Sequence, residues 1–153
     1  MGIGYVDSIV VYNRWEENGD EYYSGTRFDS VRIELTQGSS MRTNGLESTS
    51  ECVTKIPITK ERSEKYLPPM QWKDLDQVKK QSHFTFDKDN HTFFAIAKKK
   101  ELGIDIELPV GLITREKYPE GFYEYVSNHY GYVYLLNAVD VFSLVPRFEI
   151  SGS

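Results

Sequence analysis

Apolar and polar positions along the chain divide into short runs, most with the two-residue period of a strand. From about Tyr5 to Arg14, Val6, Val10 and Tyr12 fall on one face while Ile9 and Val11 fall on the other. A strand apolar on both faces belongs between two layers or in a barrel wall. Glu16-Glu17-Asn18-Gly19-Asp20 follows, and Asn-Gly between strand patterns predicts a hairpin. The return strand runs from about Glu21 to Leu35, with Val31, Ile33 and Leu35 facing in and Ser30, Arg32 and Glu34 facing water. A third strand starts at Cys52, with Cys52, Thr54, Ile56 and Ile58 on one side. Pro57 has no N–H to donate, so it marks an edge strand or the strand's end.

Thr36 to Ser50 interrupts this pattern with Gly38, Ser39, Ser40, Asn44, Gly45, Ser48 and Ser50. So polar a stretch has no core face and predicts a mobile loop or flap. Thr59 to Ser82 is charged and carries Pro68-Pro69, after which Trp72, Leu75 and Val78 recur at the spacing of a short two-turn helix. Phe84-Thr85-Phe86 and Thr92 to Ala97 predict a second hairpin through Asp87-Lys88-Asp89-Asn90, ended by Lys98-Lys99-Lys100 as a solvated turn. Ile104 to Lys117 admits a further strand. Pro119 suits the first position of a helix and Gly131 the position after its end. Between them Phe122, Tyr125, Val126 and His129 form one apolar stripe. Strands near Tyr132–Val141 and Val145–Ile150 close a mainly β, barrel- or sandwich-like single domain, 1–153, with one or two short helices and long loops.

Composition changes this picture only at the margins. A chain of 153 residues buries roughly 70% of its unfolded surface, enough for a core without staples. The lone Cys52 forms no internal disulfide and reads as a buried strand residue. Neither a membrane-length apolar run nor a secretory leader is present, which predicts a soluble protein made in the cytoplasm. The net charge of −5 disfavours a surface that grips nucleic acid through clustered Lys and Arg. Eleven Tyr, eight Phe and two Trp fit both β structure and protein–protein contact.

Reaction chemistry finds little to build on. His83, His91 and His129 share no metal-ligand spacing, and no general base has a recognisable partner. Asp87-Lys88-Asp89-Asn90 resembles the start of a calcium loop, but Thr92 and Lys98 occupy the positions that need Gly and Glu. No nucleophile elbow, Walker loop or dinucleotide fingerprint occurs. The expectation is a non-enzymatic protein with no cofactor and no metal.

Several short motifs recur together in one known class. Ile9-Val10-Val11-Tyr12-Asn13-Arg14 opens the chain, Tyr22-Tyr23 marks the return strand, and Thr54-Lys55-Ile56-Pro57 follows. Then come Trp72 with Leu75, the Phe84–Lys98 hairpin pattern, the step from Leu136 to Val139, and the terminal Phe148–Ile150. In this order the chain resembles head–tail connector proteins of the head-closure, or stopper, type from tailed phages and prophages of Gram-positive hosts. The resemblance implies a virion structural protein, synthesised in the bacterial cytoplasm and placed at the virion neck. There it would form a homo-oligomeric ring, sixfold or twelvefold, between the portal or adaptor and the tail-terminator or tail proteins. DNA would pass without sequence-specific binding, and no membrane would be involved. Gly38, Ser39, Arg42, Asn44, Gly45 and Trp72 are then the candidate interface or gating residues. A tail-terminator or tail-tube component and a ligand-binding β-barrel remain the alternatives.

Overall fold

Strand β1 (Asp7–Glu17) has a neighbouring strand on each edge and a packed layer on each face, as its doubly apolar pattern requires. The computed structural model describes residues 4–42 and 45–153, with backbone alone for 37–42 and 45–50. Asn18 and Gly19, both at positive φ (54° and 82°), link Glu17 to its partner Asp20 at the start of β2 (Asp20–Arg42). This is the left-handed pair that a two-residue primed turn demands. β2 pairs with β3 (Gly45–Pro57), and three short helices follow: α1 (Lys60–Lys65), α2 (Pro69–Lys73) and α3 (Gln77–Ser82). Beyond them lie β4 (Phe93–Lys99), a 3₁₀ turn (Lys100–Leu102), β5 (Ile104–Asp105), β6 (Gly111–Thr114), α4 (Phe122–Tyr130), β7 (Val133–Phe142) and β8 (Arg147–Gly152).

All strand pairings are antiparallel, in the order β1-β2-β3-β8-β7-β4. β4 then pairs back onto β1, with Val10 opposite Ala95 and Val11 opposite Phe94, closing a six-stranded barrel. β5 adds to β4 and β6 to β2. The interior holds side chains from every barrel strand: Ile9, Val11, Phe28, Ile33, Cys52, Ile56, Phe94, Ile96, Tyr134, Leu136, Phe148 and Ile150. Six strands enclose too narrow a space for anything but their own side chains.

The alternate residues of β1 build a second core on the barrel's outer wall. Val10, Tyr12, Tyr23, Phe93 and Ala95 pack there against Leu108, Ile113 and the Phe122 and Val126 face of α4. Tyr12 crosses over β2 at Gly25 and donates its hydroxyl to the Pro109 carbonyl at 2.7 Å. A Cβ at Gly25 would lie 2.8 Å from the Tyr12 ring, so only glycine permits this crossing.

The structure departs from the sequence reading at definite places. Thr36–Arg42 and Gly45–Ser50, expected as a mobile loop or flap, are strand: the β2–β3 ladder runs through them from Thr36–Glu51 to Arg42–Gly45. Two antiparallel arms satisfy each other's backbone groups without needing an apolar face. Phe84-Thr85-Phe86 is not the hairpin partner of β4, because β1 and β7 already occupy both edges of that strand. Instead the segment crosses one barrel mouth, bridged at Phe84 to Tyr66, which also lies outside the strands, and bonded at Thr85 to Asn13 of β1. The Trp72–Val78 helix is broken in two at Asp76, whose carboxylate accepts the Lys79 N–H at 2.8 Å and so starts α3. Lys98 and Lys99 belong to β4 and not to a solvated turn, and four short α-helices stand among the described residues instead of one or two. α4 begins at Phe122, with Pro119 in the turn before it, while Gly131 at φ 83° ends it as expected.

Asn13, on the same face as Ile9 and Val11, pins the crossing segment. Its buried amide donates to the Thr85 carbonyl at 2.7 Å and accepts the Thr85 N–H at 3.2 Å, acting as a one-residue strand. Replacing Asn13 with Ala leaves both backbone groups unpartnered and costs about 3 kcal/mol. For a chain of this size that lowers the Tm by about 10 °C. A thermal melt that does not move would mean that Thr85 finds other partners.

Candidate functional site

Among the described residues the surface carries two projections and several shallow cavities. β1 leaves β2 at Val31, and β8 leaves β3 at Cys52. Beyond those points β2 and β3 pair only with each other, so their arms run past the barrel as a ribbon about 20 Å long. Gly38, Ser39 and Arg42 lie on the β2 arm, and Gly45 pairs with Arg42 on the β3 arm. Asn44 lies outside the described residues. The ribbon thus carries Gly38, Ser39, Arg42 and Gly45 of the candidate residues.

Trp72 does not join them. It is 1% exposed and packs at the opposite barrel mouth, edge-on to Trp15 with ring centres 5.7 Å apart. Its indole N–H points to the Lys80 and His83 carbonyls at 3.3 and 3.4 Å. The Lys80 ammonium lies 5.3 Å from the Trp72 ring centre and 5.7 Å from that of Trp15. It donates to the Lys73 carbonyl at 2.9 Å and to the Leu75 carbonyl, satisfying the C-terminal end of α2. Burial pushes the Lys80 pKa down, opposed by Glu17, Asp74 and Asp76. Trp72, expected as an interface or gating residue, is therefore an anchor. An apolar side chain eight residues before a lysine was the available signal, but nothing in that spacing says the lysine turns inward.

The titratable groups are spread out and structurally engaged. Asp7 accepts the Ile33 N–H at 2.9 Å and meets the Lys99 ammonium at 3.4 Å, while Lys99 donates to the Ile33 carbonyl at 3.0 Å. This group ties β1, β2 and β4 together at the ribbon end. His129, expected in the apolar stripe of α4, is exposed and stacks on the Tyr125 ring at 4.1 Å. His83 contacts the Lys79 carbonyl at 2.9 Å, and His91 sits exposed in a left-handed turn at φ 55°. Among the described residues no group of three His, Cys, Asp or Glu is placed to hold a metal ion. No helix there is long and apolar enough to cross a membrane.

The features the sequence reading missed are apolar ones. The turn between β7 and β8 presents Val141, Phe142, Leu144 and Val145 to solvent, with Leu144 98% exposed. The Arg147 guanidinium lies over the Phe142 ring at 4.3 Å. At the other end of β7, Leu35, Thr36, Leu102, Tyr132, Val133 and Tyr134 line a cavity of about 360 Å³. Alternation along β7 fades after Leu136, a signal that its far half faces no core.

Burial gives the protein a defined alkaline limit. Desolvation raises the pKa of Tyr12, Tyr23 and Tyr66, and pushes Tyr134 up to about 12 and Cys52 up to about 12. A folded-state pKa above the unfolded value adds stability that is complete below the unfolded pKa and is lost as pH rises past it. Stability should therefore hold up to about pH 9 and fall steadily above about pH 10. In an absorbance titration at the tyrosinate band, the buried tyrosines should ionise in one step together with loss of circular dichroism. Gradual ionisation of all the tyrosines with the fold intact would contradict their burial.

A family model described as a family of unknown function (DUF6751) matches residues 5–102. No curated protein and no solved structure matches the chain. The matched stretch holds four of the six barrel strands, β1 to β4, together with the mouth-crossing segment and the Lys100–Leu102 turn. The chain thus belongs to this family of unknown function, DUF6751.

Proposed function

We propose that the protein is a non-catalytic structural subunit of a tailed-phage or phage-like neck, of the head-closure type. In this reading it forms a ring between the DNA-filled head, through the portal or adaptor, and the tail. The observation that carries the reading is a barrel filled by its own side chains with projections at both ends. An interior so packed leaves no room for a small ligand inside the barrel, which disfavours the ligand-binding alternative. The parts that extend beyond the core are suited to reaching other chains. A net charge of −5 lets DNA pass nearby without being held, since tight binding scales with neutralised phosphates. The motif resemblance supplies the particle. A tail-terminator or tail-tube role fits the same surfaces and differs only in position.

Gold labelling of the protein in particles purified from the source, viewed by electron microscopy, tests the reading directly. Label at the neck supports it; label along the tube or at the tip moves the protein into the tail. Absence from intact particles refutes both roles.

The ribbon provides a second test. Replacing residues 38–49 with Asn-Gly keeps Gln37 opposite Ser50, so the shortened hairpin retains its register. The barrel pairings lie outside the removed residues, and the change in stability should stay within about 0.5 kcal/mol. Assembly of infectious particles should nevertheless fail. Full infectivity with the trimmed ribbon would remove it from the interface.

A further inference from the structure

The exposed apolar tip and the Leu35–Leu102–Tyr132 cavity lie at opposite ends of one strand. β7 starts at the cavity with Val133 and Tyr134 and ends beside the tip, with Phe142 paired to Arg147. From Tyr134 to Leu144 the chain covers about 30 Å, and β7 and β8 are rigidly paired along most of that length. The tip cannot fold back into the cavity of its own molecule.

We infer that the β7–β8 tip of one copy docks in the Leu35–Leu102–Tyr132 cavity of a second copy. Three observations select this occupant. The tip gathers exposed apolar side chains in one place: Leu144 is 98% and Val145 64% exposed, next to Val141 and Phe142. Side chains of this kind gain most by leaving water. The cavity wall is mixed, with Leu35, Leu102, Tyr132, Val133 and Tyr134 beside Thr36 and Gly131; Leu102 and Tyr132 are each 40% exposed, and the volume of about 360 Å³ accepts more than one branched side chain. The flanking charges are complementary: Arg147 sits at the base of the tip, and Glu101 adjoins Leu102. Within its own chain Arg147 meets Glu149 and Glu101 meets Lys99, both at 3.5 Å, while Arg147 also lies over the Phe142 ring.

A contact between two different patches of one chain is heterologous. Repeated, it closes into a ring or continues as a filament. This inference rests on the ring reading and gives that ring its subunit contact.

The test uses the full chain in three forms: unchanged, Leu144→Asp, and Leu144→Cys combined with Leu102→Cys. Sedimentation over a range of concentrations should show self-association of the unchanged chain. Leu144→Asp should weaken it about tenfold or more without moving the melting temperature, because Leu144 makes no core contact. Mild oxidation of the double-cysteine form should give a cross-linked ladder beyond the dimer, with each single-cysteine form as control. The buried Cys52 thiol, with its pKa raised, stays out of this chemistry.

A cross-link that stops at the dimer would overturn the head-to-tail geometry. Unchanged association of Leu144→Asp without a ladder would overturn the docking site and leave the ring reading standing. A chain that stays monomeric at every concentration overturns the self-docking contact. Gold label at the neck in that case would show a ring whose assembly depends on other proteins, and no label would remove the ring as well.

Discussion

The structure depends on the closure between β1 and β4. A sheet of these strands has two open edges and, along β1, two apolar faces that water would otherwise meet. Pairing Ile9–Tyr12 with Phe93–Ile96 removes both edges at once. It also commits each residue of β1 to a side: Ile9 and Val11 to the interior, Val10 and Tyr12 to the outer wall. Slipping this register by one residue would exchange the two sets, so the inner and outer cores specify the same pairing independently.

Closure leaves two mouths, and each is sealed in a different way. At the ribbon end, the buried Asp7 carboxylate and the Lys99 ammonium hold three strands together through backbone bonds to Ile33. At the other end, the segment from Lys60 to Asp87 crosses the opening. Phe84 and Phe86 enter it against Phe28, Tyr66 and Phe148, with ring centres 4.8 to 6.2 Å apart. This segment has almost no strand partners of its own. The Asn13 amide, the Trp15–Trp72 pair and the Lys80 ammonium substitute for a ladder. Buried polar groups that must all be satisfied give such a segment one arrangement in place of many.

With both mouths closed and the interior filled, chemistry is left to the outside of the barrel. The ribbon and the β7–β8 tip lie at opposite ends because β3 and β8 are paired from Cys52–Gly152 to Pro57–Arg147. A molecule with different surfaces at its two ends is suited to contacts that carry a direction.

The local sequence by itself determined the strands whose partners are next to them or whose faces alternate. β1 with its two apolar faces, the Asn18-Gly19 turn, the inward row Val31-Ile33 and the end of β3 at Pro57 all follow from residue period and backbone chemistry. Gly131 at the end of α4 and the buried Cys52 were legible for the same reason. Only the tertiary structure decided features that depend on distant partners. Phe84–Phe86 reads as a strand, yet β4 had no free edge to give it, because β1, seventy residues earlier in the chain, already held one. Gly38 to Ser48 reads as a loop, yet strands set in register by the barrel carry their pairing into it. Trp72 reads as an interface or gating residue until Lys80 and Trp15 enclose it, and Leu144 falls between two predicted strands, where no core reaches it. Period and propensity act over a few residues, whereas competition for strand edges and for buried space is settled across the whole chain.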